Sequence, residues 1–159
     1  KLPKAMQREF ADVIQKISEE EGGEVAPERI MECFQAEYLD RKTPYELLRV
    51  KFEEDQEEEV RIQLAFKYKG EEIVADGQGE GPIDALKSAL RQGRKELDFT
   101  IMDFDEHALS EGSKAKAAAY IQMRDNKTGK ITFGVGVSSN ITKASFRGIF
   151  SALNRLTES

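Results

Sequence analysis

The chain has one cysteine, one histidine and no apolar run approaching membrane-spanning length. One cysteine excludes a disulfide framework within the chain. Cys33, set between Met31 and Phe34 in a helical pattern, reads as a small buried apolar residue rather than a reactive thiol. One histidine leaves no second imidazole for a metal, and no Ser-His-Asp or Cys-His arrangement is readable. His107 closes the run Asp103-Phe-Asp-Glu-His107, but acids at i−1 and i−2 on a strand do not aim three ligands at one ion. A strand-end acidic face with a hydrogen-bonded histidine is expected there. Positive charge is also short: 24 Lys and Arg are scattered among 30 Asp and Glu, a net charge of −6 that repels a phosphate backbone and argues against nucleic acid as a partner. No signal-peptide pattern opens the sequence, so a cytoplasmic protein without membrane contact is expected. Lys1 is not an initiator methionine, and the chain is expected to be cut from something longer.

What is present fits one core and an appendage: 159 residues, 39% hydrophobic and 34% charged. From Leu2 to Leu39 the pattern is helical. Phe10, Val13, Ile14 and Ile17 recur at spacings of three and four until Gly22-Gly23 stops the run. A second helix opens near Ala26-Pro27-Glu28, continues through Ile30, Met31, Phe34 and Tyr38, and ends before Asp40. So little apolar surface cannot make its own core, and the two helices are expected to pack on another surface, one that a piece of a longer chain need not contain.

After Pro44 the period changes to two. Strands are expected at 45–52, 60–68 and 73–79, then a helix from Pro82 to about Lys95. The order repeats: strands over 97–107, 115–123 and 131–137, then a helix from Ile141 to Leu156. The fold class is therefore α+β: two pseudo-symmetric βββα units, with antiparallel strands and the helices on one side, preceded by a small helical subdomain. Turns are placed at the acidic run 53–59, read as a solvated hairpin loop without calcium-site spacing, and around 110–113.

The two strand-to-helix junctions, Gly77-Gln-Gly-Glu-Gly81-Pro82 and Gly134-Val-Gly136-Val-Ser-Ser-Asn140, are the most informative stretches. In the first, the third glycine comes one place early for a dinucleotide fingerprint, and no Gly-Lys-Ser/Thr completes a P-loop. What remains is a tight turn, close backbone approach, and a helix start with free N–H groups. Any single junction of this kind is most simply a plain turn. Two equivalent ones in a small domain point to a ligand carboxylate held between facing helix starts.

Several blocks carry a family resemblance. Gly79-Glu-Gly-Pro-Ile-Asp-Ala-Leu, Asp103-Phe-Asp-Glu-His-Ala-Leu-Ser-Glu-Gly, Ala115-Lys-Ala-Ala-Ala-Tyr-Ile, Phe133-Gly-Val-Gly-Val, Asn140-Ile-Thr-Lys-Ala-Ser145 and Ser151-Ala-Leu-Asn-Arg155 resemble, with consistent spacing over residues 44 to 156, the C-terminal regulatory domain of the 2-isopropylmalate synthase family. Leu2 to Ile17 is similar to the helical subdomain that joins barrel to regulatory domain there. The resemblance implies a helical linker subdomain at 1–42 and a regulatory domain at 43–159. It implies a homodimer that binds leucine as feedback inhibitor, and a parent chain that condenses acetyl-CoA with 2-oxoisovalerate in a catalytic barrel holding a divalent metal. For this stretch alone it implies neither catalytic residue nor cofactor. The implied effector site is Glu80, Gly81 and Pro82 at the first junction, Ile101, Phe104 and Ala108 on the following strand, and Ile141 at the second helix start. Glu80 stands where the family often has Asn, and Phe104 where Tyr is common, so an amide and a phenol hydroxyl are absent. Two other readings stay open: a citramalate synthase regulatory domain binding isoleucine, and a purely structural dimerisation domain.

Overall fold

The structure is a computed structural model, and it describes residues 2–53, 59–109, 112 and 115–157. Two of the expected turns therefore lie largely outside the described residues: the acidic run at 54–58 and the bend around 110–113. Helix α1 (Lys4–Glu21) is stopped by Gly22, whose left-handed backbone (φ 76°) returns its N–H to the Ser18 carbonyl. Helix α2 (Pro27–Phe34) starts on a proline, where no amide donor is needed, and runs into one π-helical turn at Gln35–Leu39. Cys33 is buried, as its pattern indicated.

The first unit comprises β1 (Tyr45–Glu53), β2 (Val60–Tyr68), β3 (Glu71–Gly79) and α3 (Pro82–Gly93). The second comprises β4 (Phe99–Ala108), β5 (Ala117–Asp125), β6 (Ile131–Ser138) and α4 (Ile141–Leu156). All strand pairs are antiparallel. The strands form two separate three-stranded sheets, ordered β1-β2-β3 and β4-β5-β6, rather than one. The expected elements are all present, with ends moved by a few residues. Leu97, placed on the fourth strand by its alternation, is instead buried in the link before it. Each first strand carries a bulge at the same place, between Leu47 and Arg49 in β1 and between Ile101 and Asp103 in β4.

The two units share one core. Ile62, Leu64 and Phe66 from β2 meet Leu86 and Leu90 of α3, while Ile121 and Met123 of β5 meet Ile149 and Leu153 of α4 in the same cluster. Burying side chains of this size at about 1.5–3 kcal/mol each makes this cluster the main source of stability. Phe66 also meets Phe150 edge to face, with ring centroids 6.1 Å apart, so the first sheet packs on the second unit's helix.

The helical segment packs as expected on another surface, and that surface lies within the chain. Met6 and Tyr38, flanked by Phe10, Phe34 and Leu39, sit against Ala118, Tyr120, Phe133 and Val135. The second sheet can serve both sides because β5 and β6 are apolar on both faces. Ala118 and Tyr120 point towards the helical segment while Ala119 and Ile121 point towards α4, and Phe133 and Val135 alternate with Gly134 and Gly136 in the same way. No helix among the described residues is long and apolar enough to cross a membrane.

Candidate functional site

The junction glycines serve, first, their own helices. A Cβ at Gly77 would lie 2.2 Å from the Ala85 carbonyl oxygen and 2.4 Å from the Ala89 nitrogen, and one at Gly136 would lie 1.9 Å from the Ala144 oxygen and 2.4 Å from the Gly148 nitrogen. Helix backbone rests directly on strand backbone at both places, and only hydrogen fits between them. Gly81 differs. It has extended backbone at φ −148°, and a Cβ there would meet nothing within 4 Å. Close packing inside the chain therefore does not require glycine at 81.

Three of the seven site residues named from the sequence come together on one strand face. Ile101, Phe104 and Ala108 pair with Met123, Ile121 and Ala117 of β5, whose side chains lie on the face turned towards α4, and the bulge after Ile101 keeps all three in phase. Phe104 is nonetheless 37% exposed, an aromatic ring left open on an edge strand. Glu80, Gly81 and Pro82 form the start of α3, with Pro82 at its first position and Glu80 exposed. This helix reaches towards the same strand: Lys87 places its ammonium 5.6 Å from the Phe99 ring centroid, and Ile83 and Ile101 both pack on the main core. Ile141 stands apart at the start of α4, 41% exposed, where Asn140 accepts a 3.1 Å hydrogen bond from the Lys143 N–H. No hydrogen bond or ring contact among the described residues joins Ile141 to the other six.

Around α4 lies a polar network that no sequence spacing announced. Arg155, 8% exposed, donates from Nε to Glu37 at 2.9 Å and from Nη1 to Glu9, Thr132 and the Phe133 carbonyl. The Tyr38 hydroxyl donates to Glu9 at 2.8 Å. Burial pushes the Tyr38 phenol far above its usual range, with the nearby Arg155 charge opposing only part of that. One residue earlier, Asn154 grips the entry to β1. Its amide accepts from the Tyr45 N–H at 2.7 Å and donates to the Tyr45 and Arg41 carbonyls at 2.8 and 3.1 Å. Ser151 donates to the Tyr38 carbonyl at 2.6 Å. Helix α4 is thus pinned at consecutive turns to the helical segment and to the link that follows it. The partners are more than a hundred residues away in sequence, beyond the reach of any motif.

His107 sits, as the acidic run implied, with its Nε2 3.2 Å from Asp105 on the same strand, both side chains largely exposed. Among the described residues no three His, Cys, Asp or Glu side chains are grouped to hold a metal ion. A groove of about 820 Å³ lies between β1, β6 and the first turns of α4. None of the seven named residues lines it.

Residues 24–157 match the family described as the LeuA allosteric (dimerisation) domain. Among curated proteins, the chain is 40% identical to the 2-isopropylmalate synthase of Clostridium acetobutylicum, covering 97% of this chain and 28% of that protein. It is 36% identical to that of Corynebacterium glutamicum and 39% identical to that of Pseudomonas fluorescens, again over 97% of this chain but only 25% and 27% of those proteins. The chain spans about a quarter of the length of these relatives. With the family match running through both βββα units and into the helical segment, the chain belongs to the LeuA allosteric (dimerisation) domain family.

Proposed function

We propose that this chain is the regulatory part of a 2-isopropylmalate synthase, which dimerises and binds leucine as the feedback inhibitor of acetyl-CoA condensation with 2-oxoisovalerate. Residues 1–42 act as the linker to a metal-dependent catalytic barrel elsewhere in the parent chain, and residues 43–159 as the effector-binding domain. The observation that carries this reading, beyond family membership, is the exposed face of β4. Ile101, Phe104 and Ala108 stand in a row there, and the middle of α3 reaches the head of the same strand through Lys87 and Phe99. A branched amino acid needs an apolar wall, donors for its carboxylate and an acid for its ammonium. Residues on β4 supply the wall, the amides after Gly81 the donors, and Glu80 the acid. Because a Cβ at Gly81 meets nothing in the chain itself, a bulky residue there obstructs ligand rather than fold.

Calorimetric titration of the chain with leucine, isoleucine and valine tests this, run on the wild type and on Ala108→Phe. Ala108 is exposed near the end of an edge strand, so the added ring leaves the core alone. Binding of leucine by the wild type and its loss in Ala108→Phe is the expected pair of results. A preference for isoleucine assigns the domain to a citramalate-type enzyme instead. Absence of heat with all three, on a folded dimer, leaves dimerisation as the role.

A further inference from the structure

The groove beside β1 is the internal counterpart of the proposed effector site, with its charge reversed. The strand glycines fix the correspondence: Gly77 lies on Ala85 and Ala89 of α3 as Gly136 lies on Ala144 and Gly148 of α4. Aligning these pairs sets Pro82 on Ile141, Asp84 on Lys143 and Ser88 on Arg147. The matching bulges set Leu47 on Ile101 and Val50 on Phe104. Charge reverses at one aligned pair, Asp84 against Lys143, while Ser139 stands at the position of Glu80 and Ser88 at that of Arg147.

The lining follows that reversal. Leu47, Val50, Phe52, Val137, Phe146 and Phe150 form an apolar wall, with Phe52 stacked on Phe146 at 6.1 Å. Arg41, Lys42, Arg49, Lys143 and Arg147 line it as well, with Glu46 the one acid lining it among the described residues and Arg41 paired with Glu37 at 2.9 Å. On a chain of net charge −6 this is a local concentration of positive charge. Lys42 and Lys143 have no ion pair among the described residues, whereas Arg49 is held by Glu72 at 3.2 Å.

Two neutral polar side chains of the groove, Ser151 and Asn140 through its oxygen, are already engaged, which leaves Thr142. Ser151 both donates to Tyr38 and accepts from the Val135 N–H at 3.1 Å, and the Asn140 oxygen caps α4. A sugar or nucleoside would find few partners for its hydroxyls. A docking strand is equally ill served. On the β6 edge the Val135 N–H is taken by Ser151 and the Val137 carbonyl by Arg147 at 2.7 Å.

We propose that this groove is a second small-molecule site, which takes a branched aliphatic carboxylate lacking an ammonium group. The carboxylate pairs with Lys143 and Lys42, the alkyl group lies on Val50 and Phe146, and the lone acid leaves an ammonium unserved. The site stands independently of the leucine reading, since it shares no residue with it.

The test is nuclear magnetic resonance titration of the isotope-labelled chain with 3-methylbutanoate, with 3-methylbutylamine as the same alkyl group bearing the opposite charge. Saturable shifts at Val50, Thr142 and Lys143 with the acid and none with the amine are expected. Lys143→Glu should weaken the acid by at least about tenfold, Lys143→Arg should retain it, and leucine should bind both variants as it binds wild type. Three results overturn the proposal: no shifts with the acid up to about 10 mM, a weak limit of detection; shifts confined to residues 80–86 and 101–108; or unchanged affinity in Lys143→Glu. Groove shifts that depend on protein concentration alone would overturn it too, because a second copy then covers the face.

Discussion

Gly136→Ala isolates what the junction glycines do. The added methyl carbon would lie 1.9 Å from the Ala144 carbonyl oxygen, and an ordinary contact begins at 3.4 Å, so α4 has to lift by roughly 1.5 Å or β6 has to yield as far. Both obstructing neighbours, Ala144 O and Gly148 N, are helix backbone and cannot swing aside as a flexible side chain would. Lifting α4 also draws Ile149 and Leu153 out of their contacts with the second sheet. Overpacking typically costs about 1–3 kcal/mol, and backbone against backbone belongs at the upper end, so about 3 kcal/mol is expected. In a domain of this size that lowers the melting temperature by about 6–12 °C. Gly81→Ala is the control, since its Cβ enters open space at an extended φ. It should stay within about 0.5 kcal/mol of wild type or gain slightly from a stiffer unfolded chain. Urea unfolding followed by circular dichroism, at one fixed protein concentration because dimerisation would couple to stability, gives both numbers. A neutral Gly136→Ala would refute the packing argument. So would a Gly81→Ala as destabilised as Gly136→Ala, because space and φ then fail to predict which glycine matters.

Two further outcomes follow from the network at the end of α4. Arg155→Met removes the charge partner of the half-buried Glu9 while Glu37 keeps Arg41 at 2.9 Å, and should cost about 3 kcal/mol in urea unfolding, while the double change with Glu9→Gln should recover much of it; equal stability of single and double variants would show that the Glu9 charge was never desolvated. Alkaline pH should unfold the chain. Burial raises the phenols of Tyr38, Tyr45 and Tyr120, so above the unfolded value near 10 the native state binds protons that the unfolded state releases, and stability present below about pH 10 is lost as pH rises further. A urea midpoint unchanged between about pH 8 and pH 11 would contradict this.

The order of elements was legible because each strand alternates and each helix is bounded by a glycine, proline or asparagine whose backbone role is local. Layering was less so. Alternation of Ala118 and Tyr120 with Ala119 and Ile121 signals a strand, but Ala and Tyr on the second face look the same whether that face is covered or wet. The helical segment therefore read as needing a surface that β5 and β6 in fact provide. Arg155 was opaque for a related reason: on α4 it is one basic residue in a last turn, where a cation favours the helix dipole, and nothing local distinguishes that from an ion pair with Glu9.

The junctions show most sharply where sequence reasoning stops. A glycine that admits a ligand and a glycine that admits its own helix obey the same steric rule, and spacing does not separate them. Only the distances do, sending Gly77 and Gly136 to packing and leaving Gly81 free for a ligand. Repetition likewise implied two facing helix starts around one ligand. Instead, each helix leans towards the other unit's first strand: Lys87 of α3 reaches Phe99 of β4, and Phe146 of α4 stacks on Phe52 of β1. A duplicated unit therefore need not enclose one shared site, and the charges beside its two helices can diverge. At one aligned position an acid, Asp84, stands on the first unit's helix where Lys143 stands on the second, so the two units present opposite charge beside similar apolar strands.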